Sequence, residues 1–273
     1  MQCRLLPTTR RALLRSAASA PFLTIPGFAL AQDPPKASGE EDVLANLIRI
    51  LGEPEHASRI TAEDGARYAD RVPPALIRFW LEHGRGAYFD GLYWICDPEP
   101  FDSVLDLIFD GDPEFRPSDM TVVGYTAFGD LKVWHQHRRN VNVSLLNSTV
   151  FNPPASSWHD AHTGQPFSED FSVSNHVVSF RYVFLQEDRD FFAAAAAKHG
   201  KLEPGEAYGF FPAVQLGGAY RIENLRRVRA AEHFAILAQL EPLKLTRLTP
   251  PDPPAYPYGR LEPVRLIGKQ QNR

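Results

Sequence analysis

Apolar side chains recur every three to four residues in four stretches of the first part of the chain, which predicts four helices. These stretches are residues 43–51, 60–72, 73–84 and 101–112. Glycine or proline stands at or just beyond the end of each stretch, as is typical of helix ends. The pattern also predicts an alanine-rich helix over residues 188–199, capped by Gly200, and a last helix that begins near Asn224 or Ala230 and ends at Leu240.

Aromatic and β-branched residues dominate the segments between the early helices and predict strands. We expect a sheet from about Ala87 to Phe151, with a bend or bulge at Gly91 and a tight connection at Gly129 and Asp130. Polar and apolar residues alternate in the last part of this region, as in half-buried strands. Residues 177–182 predict one more strand, after a turn-rich and exposed connection over 152–175.

Strand patterns lie in the middle of the chain and helical patterns lie on both sides of them. We therefore predict an α+β fold in one compact lobe, with a mainly antiparallel sheet flanked by N- and C-terminal helices. We expect a leader over 1–31, a linker over 32–40, and two domains on the same lobe over 41–154 and 155–243. The tail over 244–273 is rich in proline, so we expect it to be extended and poorly able to bury a core.

The leader resembles a twin-arginine export signal. It contains Arg10 and Arg11 before two leucines, then a mildly apolar segment and a small-residue cleavage site after Ala31. We expect the twin-arginine export machinery to recognise it and to deliver a periplasmic protein. No later apolar run reaches the ~18 residues of a membrane span, so the mature form is expected to be without a membrane anchor.

The charge of the chain is mildly acidic, with 29 basic and 33 acidic side chains. Four of the arginines lie in the leader, which has no acid, so the remaining residues carry 25 basic and 33 acidic side chains, a net charge of −8. An acidic protein repels phosphate backbones and anionic lipids. We therefore expect no nucleic-acid partner, and the charge favours a protein partner with a basic surface.

Two histidine pairs are the clearest candidates for a metal site. His135 and His137 stand two residues apart on an expected strand, which would direct both rings to one face, and His159 and His162 lie in a later turn. Such short pairs are more often solvated histidines than ligands. A metal-dependent periplasmic enzyme that uses these four histidines is therefore an alternative interpretation. Our leading prediction is a protein that binds no cofactor and no metal.

Other chemical motifs are weaker. No G-x-S-x-G motif is present, and the aromatic neighbours of Cys96 predict a buried thiol rather than a nucleophile paired with His83. Gly217 and Gly218 predict a turn rather than a phosphate loop. The basic cluster of Arg221, Arg226, Arg227 and Arg229 predicts a solvated helix face. We therefore predict no catalytic residues.

Two parts of the sequence resemble known families. The segment VPPALIRFWLEHGRGAYFDGLYWICDP, with TAFGDLKVW after it, resembles the GAD-like domain. The segments KHGKLEPGEAYGFFPAVQLGG and VRAAEHFAILAQL are similar to the C-terminal block of type VI secretion immunity proteins that protect against a DNase toxin. The resemblance covers roughly residues 41–243. It implies a GAD-like domain over 41–154, an immunity-protein domain over 155–243, and binding to a cognate toxin.

Protein binding of this kind needs exposed aromatic and charged side chains. The candidate toxin-binding residues are Arg85, Tyr88, Phe89, Asp90, Asp110, Asp112, Glu114 and Trp158. Together with the leader, the resemblance predicts that the protein neutralises a toxin in the periplasm. We expect this toxin to act on the cell wall or the membrane, or to be intercepted in transit. A non-catalytic periplasmic binding protein without a toxin partner is the third interpretation.

Overall fold

A nine-stranded sheet is the centre of the fold. The computed structural model describes residues 43–183, 186–250, 252 and 260–268, and this part contains seven helices and eleven strands. The helices are α1 Val43–Leu51, α2 Ala62–Ala66, α3 Pro74–Glu82, α4 Asp102–Phe109, α5 Glu169–Val183, α6 Gln186–His199 and α7 Ala230–Leu237. The strands are β1 Glu55–Ser58, β2 Arg85–Tyr88, β3 Tyr93–Ile95, β4 Met120–Thr126, β5 Asp130–His135, β6 Arg139–Ser144, β7 Thr149–Phe151, β8 Glu206–Phe210, β9 Leu225–Arg229, β10 Lys244–Leu248 and β11 Leu261–Leu266.

The large sheet has the order β1-β2-β3-β4-β5-β6-β7-β10-β11, and β8 and β9 form a separate hairpin. Every neighbouring pair is antiparallel except β7 and β10, which are parallel. Gly129 makes the predicted tight connection between β4 and β5 with a φ of 98°. The predicted mainly antiparallel α+β fold is confirmed.

Helices cover both faces of this sheet. On one face, α5 packs on β5 and β6 and contacts α1 and α3. On the other face, Phe234 of α7 lies with its ring centroid 5.8 Å from that of Tyr125 on β4 and 6.1 Å from that of Phe101 beside α4. Residues from both halves of the chain share a single buried cluster. The described residues therefore form one lobe, as predicted.

Two segments differ from the predicted secondary structure. Residues 177–182 belong to helix α5 rather than to a strand. Ser172, Val173, His176 and Val177 are buried, and this spacing places them on one side of a helix against the sheet. Residues 225–229 form strand β9, so the last helix begins at Ala230 and the arginine cluster does not lie on a helix.

The proline-rich tail also differs from expectation, because strands stand on both sides of its most proline-rich part. Strand β10 pairs with β7, and β11 pairs with β10. Leu243 and Ile267, next to these two strands, are buried in the core. Backbone hydrogen bonding to an existing sheet thus orders residues whose composition alone suggested an isolated extended tail.

The described residues all belong to one compact unit that begins at Asp42. The predicted leader, with Arg10, Arg11 and the cleavage site after Ala31, lies outside the described residues, as does the predicted linker over 32–40. Within the described part of the chain, no helix has both the length and the apolar character needed to cross a bilayer.

Candidate functional site

A groove runs between the loop that joins β2 to β3 and helix α6. Its volume is about 600 Å³. One wall comes from the loop and the other from α6 and the segment just after it. The lining residues are Phe89, Asp90, Leu92, Arg189, Asp190, Phe192, Ala193, Ala196, Ala197 and Lys201. We call this feature the α6 groove.

The loop wall has an unusual backbone. Phe89, Asp90 and Gly91 follow one another with φ values of 55°, 61° and 97°. A left-handed conformation is rare for a bulky residue such as phenylalanine and costs on the order of 1–3 kcal/mol. The loop is held in place from below, because the indole Nε1 of Trp94 donates a 2.9 Å hydrogen bond to the carbonyl of Gly91. Strained conformations of this kind occur most often at functional sites.

The helix wall is almost flat, because its side chains are small. Ala193 and Ala197 are exposed and lie one turn apart on α6, with Ala196 beside them. Phe192 anchors this part of the helix, with its ring centroid 6.0 Å from that of Tyr208 and 6.3 Å from that of Phe128. The alanines thus leave room for side chains of another molecule over a helix that is fixed to the core.

Two charged side chains reach across the rim of the groove. Lys201 Nζ lies 3.6 Å from Asp90 Oδ1, and both side chains are more than 70% exposed at 73% and 72%. The Arg189 guanidinium lies over the Phe89 ring, 5.5 Å from its centroid. Exposed contacts of these two types contribute about 1 kcal/mol or less each. A partner could therefore replace them at low cost.

Of the predicted binding residues, the structure brings Phe89 and Asp90 into the groove and gives Arg85 and Tyr88 a different position. The Arg85 guanidinium lies 4.4 Å from the Trp80 ring centroid, and Arg85 Nη1 donates a 2.6 Å hydrogen bond to Asp97. Its side chain is only 12% exposed. Tyr88 is buried, and burial raises the pKa of its hydroxyl. Tyr88 is thus inaccessible to a partner in this fold.

Asp112 is also unavailable to a partner, because its carboxylate is fully buried. It accepts hydrogen bonds of 2.6 and 3.0 Å from Arg265 and further bonds from the backbone amides of Glu114, Phe115 and Gly268. Burial raises the pKa of the Asp112 carboxyl, but these hydrogen bonds outweigh burial and the pKa lies below its usual value. We call this arrangement the Asp112–Arg265 pair. Asp112 was predicted as part of a binding surface, and the pair instead joins β11 to the end of α4.

The three remaining predicted residues lie outside the groove lining. Glu114 is exposed and pairs with Arg138 at 2.9 Å and with Arg265 at 3.0 Å, and Asp110 is exposed at the end of α4. Trp158 is half-buried, and the Arg139 guanidinium lies 5.4 Å from its ring centroid. The eight predicted residues therefore do not form one surface.

The four histidines do not form the alternative metal site. His135 ends strand β5 and is buried, and its Nδ1 accepts a hydrogen bond from the backbone amide of His137, which lies in the turn after the strand. Burial lowers the pKa of His135. His159 and His162 are exposed in a separate loop. Over the described ranges, no three His, Cys, Asp or Glu side chains are placed to hold a metal ion together.

The other candidate residues have structural positions. Cys96 is buried, and burial raises the pKa of its thiol, in accordance with the predicted structural role. Gly217 has a φ of 85° in a turn. Gly218 lies so close to Pro212 that an added Cβ would meet the proline carbonyl oxygen at 1.9 Å. Both glycines thus serve a tight turn.

The α6 wall of the groove was not predicted from the sequence. Ala193 and Ala197 belong to the predicted alanine-rich helix, and neither Arg189 nor Lys201 was among the predicted binding residues. The run of five alanines predicts a helix but not what packs beside it. The contact itself joins residues about 100 positions apart, so no local pattern could have shown it.

Two family matches cover most of the described chain. Residues 42–147 match the family described as "GAD-like domain", and residues 180–241 match "T6SS immunity protein Tdi1, C-terminal". The loop wall of the α6 groove lies in the first range and the helix wall in the second. The groove is therefore a place where the two matched segments meet.

A solved structure has the same fold. The crystal structure of Atu4351 from Agrobacterium tumefaciens superposes with a TM-score of 0.69 at 25% sequence identity. The alignment covers 82% of this chain and 97% of that protein. No curated protein matches the chain.

Proposed function

We propose that this chain, which joins a GAD-like domain to the C-terminal domain of the T6SS immunity protein Tdi1, binds a cognate secreted toxin and neutralises it. The match over residues 180–241 carries this proposal, because it supports a role as a T6SS immunity protein. Such a role favours function by binding rather than by catalysis. Binding requires an accessible surface with a fixed shape, and the α6 groove has both properties.

We assign the toxin contact to the α6 groove. The groove contains an aromatic side chain, Phe89, and an arginine, Arg189, which are residue types enriched at protein interfaces, and its rim is charged. Its strained loop is already held in one conformation by Trp94. Little conformational entropy would then be lost on binding, which favours high affinity.

The acidic composition of the chain supports a basic partner. Acids exceed bases by 33 to 29 over the whole chain, and the excess is larger without the arginine-containing leader. Opposite charges increase the association rate of two proteins, and salt screens this effect. We therefore expect the toxin to bind faster at low ionic strength.

We further propose that neutralisation takes place in the periplasm. The support is the leader, in which Arg10 and Arg11 have no nearby acidic residue. Replacing both with lysine and following the protein by cell fractionation tests this part separately. Equal periplasmic yield of the double variant would show that export does not use these arginines, and would leave the immunity proposal unaffected.

Substitutions in the α6 groove test the proposed contact. Ala193→Trp fills the groove, whereas Ala194→Trp puts the same side chain on an exposed position of the same helix that does not line the groove. The partner in the assay is a secreted protein encoded beside this gene that kills cells on its own, copurified through a tag on that protein. We expect Ala193→Trp to reduce copurification at least about tenfold and Ala194→Trp to leave it unchanged. Equal binding by both variants would place the toxin contact elsewhere.

A further inference from the structure

Half-exposed aliphatic side chains cluster on the last two strands of the large sheet. Leu248 on β10 is 53% exposed, and Leu261, its direct partner on β11, is 49% exposed. Leu266 on β11, the partner of Lys244, is 51% exposed. Val264, which lies at a bulge between Leu261 and Leu266, is 55% exposed. We call Leu248, Leu261 and Leu266 the aliphatic face. Exposed apolar side chains grouped in this way are typical of interaction surfaces.

The register of the sheet places the aliphatic face on the side that α5 covers elsewhere. Lys132 on β5 pairs with Asn142 on β6, Asn142 pairs with Phe151 on β7, and Phe151 pairs with Thr246 on β10. Directly paired residues lie on the same side of a sheet, as do residues two apart on one strand. Thr246 and Leu248 therefore lie on the same side as Lys132. His176 of α5 interacts electrostatically with Lys132, which identifies this side as the α5 side. Helix α5 packs on β5 and β6. On the same side of the sheet at β10 and β11, the aliphatic side chains are about half exposed.

The edge of the sheet itself is protected against strand addition. Strand β11 is the outer strand, and Pro263 within it has no amide hydrogen to donate. A bulge shifts the register between Leu245 and Thr246, so that Val264 has no direct partner on β10. Proline and bulges are the usual devices that prevent edge-to-edge pairing. A partner is therefore expected to pack on the aliphatic face and not to extend the sheet.

The charge distribution indicates which partner this face fits. Besides the aliphatic residues, the described side chains of β10 and β11 on this side are Lys244, Thr246 and Pro263, and none of them is acidic. Glu262, paired with Arg247, projects to the other side. A basic toxin would find no carboxylate here, whereas two copies of a net acidic chain repel each other least where no acid is present.

We propose that the aliphatic face joins two copies of this chain in a symmetric dimer. The same patch then serves both partners, as in most homodimers. The contact is small, since half-exposed side chains of this number supply on the order of a few hundred Å² per copy. This area is smaller than the roughly 800 Å² per partner of a standard interface, so we expect a weak dimer with a dissociation constant on the order of tens of micromolar. This proposal is independent of toxin binding at the α6 groove.

Sedimentation velocity of the purified protein tests the proposal over about 1 to 100 μM, a range that spans the expected dissociation constant. We expect the mass to rise from that of one chain to that of two. Leu261→Asp places like charges against each other in the two copies and should weaken the dimer at least about tenfold. Leu248→Asp on the neighbouring strand provides a second variant. Leu216→Asp, at a separate site where the leucine is 65% exposed, is the matched control.

Circular dichroism with a thermal melt first establishes that each variant is folded. A protein that stays monomeric throughout the concentration range would overturn the proposal. So would a dimer that both folded variants leave intact, or one that Leu216→Asp weakens equally. If Leu261→Asp abolished toxin binding and left the mass unchanged, the aliphatic face would belong to the toxin contact instead.

Discussion

Removal of Arg265 tests whether the end of the chain is part of the folded core. Arg265 and Asp112 are 153 positions apart, yet the guanidinium makes two hydrogen bonds of 2.6 and 3.0 Å to the carboxylate. The Asp112 side chain is 0% exposed and that of Arg265 only 17%. Arg265→Ala leaves a buried carboxylate without its counter-charge. We therefore expect this single change, in the predicted tail, to destabilise the whole lobe.

The expected loss of unfolding free energy depends on the hydrogen bonds that remain at the Asp112 carboxylate. Breaking a buried pair by removal of one partner costs about 3–5 kcal/mol. Three backbone amides still donate to Asp112 in the variant, at 2.9, 3.0 and 3.1 Å, so we expect the lower end, about 3 kcal/mol. Arg247→Ala removes a 73% exposed arginine that lies 3.8 Å from Glu262 across the same pair of strands. That control should cost less than about 1 kcal/mol.

Urea unfolding followed by circular dichroism measures both losses. In the wild type, the lowered pKa of Asp112 contributes stability above the ordinary carboxyl pKa of 3.8, and this contribution is lost as the pH falls. The difference between wild type and Arg265→Ala should therefore narrow at acidic pH. Asp112→Asn combined with Arg265→Ala should recover part of the loss, because the buried charge is then gone. If Arg265→Ala cost no more than Arg247→Ala, the pair would not stabilise the fold as argued.

Two further predictions concern buried positions. Burial lowers the pKa of Lys132 to about 8 from 10.5, so the unfolded state binds more protons between these values and stability should rise with pH across this window. Lys132→Met should remove this rise in urea or thermal unfolding, and an unchanged pH dependence would contradict the assignment. Gly209→Ala would place a Cβ 2.5 Å from His233 Nε2, and we expect a loss of about 1–3 kcal/mol that His233→Ala partly relieves. Additive losses in the double variant would argue against that contact.

Local patterns predicted much of the fold. The helix at Pro74–Glu82 and the β4–β5 connection at Gly129 were identified because periodicity and glycine conformation are properties of neighbouring residues. Residues 177–182 were wrongly assigned to a strand, since a short apolar segment fits either element and the sheet beneath it decides between them. Strand β10 was missed because its partner β7 lies far away in sequence, and β11 joins the sheet through its pairing with β10.

The candidate site was less predictable than the fold. Phe89 and Asp90 were identified as neighbouring aromatic and charged side chains close to a glycine-containing turn, which is a local signal. Tyr88 and Asp112 were wrong as surface residues, because burial depends on what packs against a side chain. The wall formed by Ala193 and Ala197 depends on a contact between two distant segments. Sequence alone therefore gave one side of the groove.

Protection of living cells tests the central claim most directly. Secreted proteins encoded beside this gene are expressed in susceptible cells to find a toxin that kills them, and survival is then counted with and without this protein. We predict that cells with the protein survive and that cells without it die. We also predict that Ala194→Trp protects fully while Ala193→Trp does not. Death of cells that contain the folded, correctly located wild-type protein together with this toxin would contradict the account.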